Sequence, residues 1–169
     1  MSSGLQIFTQ IHVAISLVAI GSGFIVLFGM LAGKRFDRWT AFFLATTVLT
    51  SVTGFGFPIT GFTPGIAIGI ISLAVLAVTI YARYSRDLAG FWRLVYVVTA
   101  VIALYLNFFV LIVQSFQKVP VLKTLAPTQS EPPFLIAQLV AMAAFIVLGF
   151  LAAIKAGRIV AAAPETKKS

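Results

Sequence analysis

The sequence predicts an all-α protein: an integral membrane bundle of five transmembrane helices, with the N-terminus outside and the C-terminus in the cytoplasm. Three observations carry this reading. Of 169 residues, 60% are hydrophobic and only 9% are charged, against about 25% charged in a soluble domain. The apolar residues fall into five long runs without an internal charge, and the lysines and arginines gather at alternate ends of those runs. A soluble chain of this length cannot hide so much apolar surface and still present a polar exterior, so the exterior is expected to be lipid.

The five runs cover residues 7–32, 39–57, 64–82, 92–113 and 133–154. About 20 apolar residues in a helix cross the roughly 30 Å of bilayer hydrocarbon. Period-2 alternation is absent, which argues against a membrane β-barrel. Little chain is left between the runs, so residues 1–169 read as a single transmembrane domain with no room for a separate soluble catalytic unit.

Thr63 followed by Pro64 is an N-cap signal with proline at the first helical position. Ser130 and Glu131 precede Pro132 and Pro133, and Glu131 suits the positive end of the fifth helix. Trp39, Tyr81, Tyr84, Phe91 and Trp92 collect at the inner ends, as an interfacial aromatic belt does. The run "GFGFPITGFTPG" reads as a tight outer turn between the second and third helices.

Orientation follows from the cations. Lys34, Arg35 and Arg38 follow the first run, Arg83, Arg86 and Arg93 the third, and Lys155, Arg158, Lys167 and Lys168 the last. The opposite side holds only Lys118 and Lys123. Ten against two places the C-terminus inside. The same bias accounts for the net charge of +8, so nucleic acid is not an expected partner. There is no cysteine, which excludes disulfides, thiolate metal sites and cysteine catalysis. Residues 1–12 hold no lysine or arginine, so the first run is expected to be a permanent span rather than a cleaved signal.

Candidate functional residues are few. His12, the lone histidine, shares one helical face with Thr9, Ser16, Ala19 and Gly23. One histidine supplies neither a multi-histidine metal site nor both axial ligands of a haem. Asn107 and Gln114 lie seven apart on the fourth helix, and Gln138 lies on the fifth. A buried amide in a bilayer needs a partner, so an Asn107–Gln138 hydrogen bond is expected. The segment "QSFQKVPVLKTLAPTQSEPP" adds Gln117 and Lys118, and its apolar residues suggest that it lies along the membrane surface.

Gly61, Gly65 and Gly69 recur every fourth residue and read as a helix-packing stripe or a homo-oligomer seam. Thr46, Thr47, Thr50, Ser51 and Thr53 make the second helix rich in hydroxyls, which bond back to their own helix. No spanning acid or base marks a proton relay, and no Ser-His-Asp set, phosphate-binding loop or zinc motif appears. No catalytic residue, metal site or cofactor is therefore expected.

The stretches "FLATTVLTSVTGFGFP" and "NFFVLIVQSFQKVPVLKTLAPTQSEPPFLIAQL" resemble segments of small five-span bacterial inner-membrane proteins without an assigned activity. The resemblance implies a bacterial plasma membrane and carries no binding or catalytic residues.

Two functions fit the sequence. One is a non-enzymatic accessory or interaction subunit of a membrane complex, with lipid and a membrane-protein partner or second copy around it. The other is a binder or carrier of a small hydrophobic ligand (lipid, quinone or pigment) in the outer half of the bundle.

Overall fold

The computed structural model describes residues 3–58, 61 and 63–161. Ile59, Thr60 and Phe62 of the turn between the second and third runs, and the tail ending in "PETKKS", lie outside the described residues. The described chain is helical: α1 (Ser3–Leu31), α2 (Asp37–Gly54), α3 (Pro64–Ile80), α4 (Trp92–Lys118), α5 (Pro120–Leu125) and α6 (Pro132–Ala161). A π turn, Tyr81–Ser85, extends α3.

Four of the helices are long and apolar enough to cross a membrane: α1, α3 with its π turn, α4 and α6. The 18-residue α2 is the exception. It begins with Asp37 and Arg38 and carries five hydroxyls in its second half, which dilute its hydropathy. Its length still corresponds to about 27 Å of helix. The outward faces of α1 and α6 expose Ile7, Ile11, Leu17, Leu139, Val140, Ile146 and Phe150. An apolar surface this continuous marks a membrane protein rather than a soluble monomer.

Boundaries follow local chemistry. Thr63 caps α3 by accepting from the Ile66 N–H at 3.4 Å. α4 runs five residues past the apolar run, because Gln114 to Lys118 contain no breaker. It stops where Val119, held extended by the following proline, precedes Pro120. Glu131 directly precedes α6. Its carboxylate accepts from the backbone and hydroxyl of Thr128 and from the Ser130 N–H, so it ties the loop.

α4 is the central helix and touches every other one. Its buried positions Tyr96, Val97, Ala100, Ala103, Leu104 and Asn107 recur at three- and four-residue spacing. α1 and α2 pack antiparallel along their lengths: Phe36 at the start of α2 abuts Gly29, and Thr53 near its end reaches His12. α6 closes the other side through Phe145, which meets Phe24, Tyr105 and Phe108 at centroid distances of 5.5–5.8 Å. At mid-height sits a sealed layer of Leu27, Phe43, Leu76 and Leu104. Gly23 belongs to this layer, since a Cβ there would fall 2.5 Å from Leu104 and 2.8 Å from Phe43.

Candidate functional site: a polar-lined cavity among the first four helices

Above the sealed layer, α1 to α4 diverge around a cavity of about 500 Å³. Its position follows from small side chains. α1 contributes Thr9, His12 and Ser16; α2 contributes Thr50, Ser51 and Gly54; α3 contributes Gly65, Gly69 and Ser72. None is long enough to fill the space between four helices. The walls are otherwise apolar, with Val13, Leu17, Ile20, Ile66, Ile68, Val110 and Leu111.

The polar groups converge from three levels. Deepest is Asn107, 9% exposed, whose amide donates to the Thr47 hydroxyl at 3.4 Å. About two and three turns further out on the same face of α4 come Gln114 and Lys118. Across from them, His12 Nδ1 lies 2.8 Å from the Thr53 hydroxyl, and its ring stands edge-on to Phe57 at 5.1 Å. Thr53 also donates to its own helix at Leu49, 2.7 Å away, as Thr46 does to Phe42 and Thr50 to Thr46. With the Thr53 hydroxyl proton directed to the helix, it is the imidazole that donates to Thr53 through Nδ1. Nε2 is then left as the acceptor of the neutral ring.

The residues singled out from sequence divide. His12, Asn107, Gln114 and Lys118 meet in the cavity wall. Gln117 and Gln138 do not. Gln117 is exposed and donates to Gln129 at 3.3 Å. Gln138 donates to the Phe109 carbonyl at 3.3 Å, so the expected Asn107–Gln138 bond is replaced by two separate contacts. Phe109 lies two residues beyond Asn107, about 200° around α4, so the two amides address opposite sides of that helix. The Gln138 Oε1 is buried without a hydrogen-bond partner among the described residues.

The glycine stripe is also redrawn. Gly61 lies outside α3, with open space where a side chain would be. Gly65 and Gly69 face the cavity, and a Cβ on Gly69 would press the Phe55 ring at 2.9 Å. These glycines make room for the turn after α2 and for the cavity.

Two participants were not read from sequence as site residues. Thr53 counted only among hydroxyls bonding their own helix, and Phe57 only as part of a turn. Their signal was the "TGFGF" run directly after an apolar helix, on the same side of the bundle as His12.

Fold and site together define a helical protein with four helices apolar enough to span a membrane and a polar-lined cavity near one end. No family model, curated protein or solved structure matches the chain.

Proposed function

We propose that the protein is a five-span bundle of a bacterial plasma membrane, oriented N-out and C-in, that holds a small, mostly apolar molecule in its outer-half cavity. α2 counts as the fifth span because its two ends lie beside the two ends of α1, with Asp37 among the inner cations and Thr53 at His12. The single observation that carries the ligand reading is the cavity itself. Ligand pockets are typically about 300–1,000 Å³, with apolar walls and a few convergent polar groups. Here the body of the ligand meets valine, leucine and isoleucine. Its polar atoms meet Asn107 at the deep end and His12, Gln114 and Lys118 nearer the mouth. Gln114 and the cation Lys118 supply N–H donors for carbonyl or anionic oxygens, and His12 Nε2 supplies an acceptor, so a head bearing such oxygens fits, as in a quinone or a lipid.

The reading as an accessory subunit stands beside this one on the apolar outer face of α6, where Ile136, Leu139, Val140 and Phe150 are exposed. Lipid covers such a face equally well, so the cavity decides the preference. Extraction of the full chain in mild detergent, followed by mass spectrometry and absorbance of the bound small molecules, tests it. A stoichiometric hydrophobic compound, lost from a His12→Ala, Asn107→Leu double variant, is the expected result. A clean preparation that takes up no quinone or lipid added back would overturn the ligand reading. Reporter fusions at the Lys34 loop and at the C-terminus are expected to report the same, cytoplasmic, side.

A further inference from the structure

The opposite end of the bundle holds a second, smaller cleft of about 60 Å³. A water takes about 30 Å³ of liquid, so the space suits one small polyatomic group. Four cations line it: Lys34 and Arg35 from the α1–α2 connection, Arg83 from the π turn and Arg93 from α4. Among the described residues, the carboxylate that forms ion pairs with them is Asp37, which pairs with Arg83 and lies 3.8 Å from Arg35. Four positive groups against one negative leave the cleft strongly cationic.

Arg83 is the decisive residue. Its side chain is only 8% exposed and packs over the Tyr96 ring at 5.5 Å and the Tyr84 ring at 5.8 Å. One end of the guanidinium reaches Asp37, while Nε has no hydrogen-bond partner among the described residues. A buried cationic N–H without an acceptor is costly, and acceptor oxygens in the cleft relieve it. Its inward placement depends on the π turn, where the Arg86 N–H reaches the Tyr81 carbonyl at 3.1 Å. Single π turns of this kind recur at functional sites. Leu88, which also lines the cleft, is buried at φ 56°, a left-handed conformation that a branched side chain adopts only where surroundings enforce it.

We propose that this basic cleft binds a phosphate group, and that in the membrane the phosphate is the headgroup of an anionic phospholipid. Planar guanidinium forks match phosphate oxygens, and basic pockets between helices at the cytoplasmic face take such headgroups. Exposed Trp39, Tyr81, Tyr84 and Phe91 at the same end supply an interfacial belt at headgroup depth. The proposal goes beyond the outer cavity and stands independently of what that cavity holds.

The test uses the full chain in phospholipid-free detergent. Equal amounts of phosphatidylglycerol and phosphatidylcholine are added and retention is read by native mass spectrometry; inorganic phosphate is titrated separately by calorimetry. The variant is Lys34→Gln with Arg93→Gln, which leaves the Arg83–Asp37 pair intact and removes only exposed or half-exposed cations. One phosphatidylglycerol is expected to be retained in preference to phosphatidylcholine. Its affinity should fall about fivefold for each cation removed, about 25-fold in the double variant. Saturable inorganic phosphate binding with the same charge dependence, but no lipid preference, sustains the phosphate site and assigns it to a soluble anion. Equal retention of both lipids with no phosphate heat, or phosphatidylglycerol retention unchanged in a folded double variant, overturns the proposal.

Discussion

The two ends of this bundle solve opposite problems with the same helices. At the outer end, four helices spread around about 500 Å³ and line it with hydroxyls, amides, one imidazole and one lysine. At the inner end, the helices close to about 60 Å³ and crowd four cations, one carboxylate and an aromatic belt around it. Neutral polar groups interrupt an apolar wall at modest cost when each bonds its own helix, as Thr9, Ser16 and Thr50 do. Charges are far more expensive to bury, so they sit where water and headgroups reach them. On the two proposals, the contrast makes recognition at the outer end a matter of shape with a few hydrogen bonds, and at the inner end a matter of charge.

Between the two ends lies the layer of Gly23, Leu27, Phe43, Leu76 and Leu104. Breaking it is the severest test of the comparison. A Leu at Gly23 drives its Cβ against Leu104 and Phe43, and overpacking of this kind costs about 3 kcal/mol at its upper end. Gly23→Leu should therefore lower the unfolding temperature more than any other substitution considered, and should disturb both ends at once. Gly21, one half-turn away, has open space at its Cβ. Gly21→Ala should leave the protein as stable or slightly more so, by up to about 1 kcal/mol of helix propensity. Equal behaviour of the two variants in a thermal melt would mean that no sealed layer divides the bundle.

Next in size is a change confined to the cavity. Ser16 lines the cavity and is only half-buried, so Ser16→Leu adds methylenes where space already exists. Ligand affinity should fall tenfold or more, equivalent to about 1.4 kcal/mol. The melting temperature should hold or rise, and phosphatidylglycerol retention at the inner end should not change. Loss of both activities together would show the two ends to be coupled.

How much of this was legible in the sequence depends on which level is asked. Helix positions followed from the apolar runs and from Thr63–Pro64, since local chemistry sets them; the end of α4 before Val119–Pro120 lay beyond the apolar run and was not read. The shared face of Thr9, His12 and Ser16, and that of Asn107 and Gln114, followed from helical periodicity; Lys118 was read only as part of the surface segment after the fourth run, and it joins that face because α4 continues to it. What periodicity cannot supply is which helix faces which. Asn107 was matched to Gln138 because both are amides, whereas α2 brings Thr47 to it instead. Arg83 was read only as one of ten inner cations, because the π turn that aims it inward leaves no clear composition signal. Gly61 fitted the stripe by spacing, yet the chain before Pro64 is not helical.

The inner ion pair gives a smaller effect with a pH signature. The Arg83 guanidinium bonded to Asp37, and its positive charge, hold the Asp37 carboxyl below its ordinary value. A carboxyl depressed on folding adds stability above the ordinary aspartate range. That stability is lost as pH falls through the lower, folded-state value. Asp37 is 67% exposed, so solvent screening limits the pair to about 1 kcal/mol. Asp37→Asn should show this loss at neutral pH and flatten the acid limb of the stability curve. The outer cavity, which holds no carboxylate, should not respond.

The finest test separates geometry from stability within the cavity. Thr53→Val removes the 2.8 Å contact to His12 while keeping the branched shape at position 53. Interhelical hydrogen bonds in membrane proteins average about 0.6 kcal/mol. Water near the partly exposed His12 replaces some of that, so the melting temperature should move by about 1–2 °C at most. Ligand affinity should move further. The imidazole is held between Thr53 and the Phe57 ring, and freeing it adds rotamer states that binding must then remove. A several-fold weaker affinity with a nearly unchanged melt would identify His12 as a group oriented for a ligand. If affinity follows the melt, His12 serves only to join α1 to the end of α2, and recognition rests on Asn107, Gln114 and Lys118.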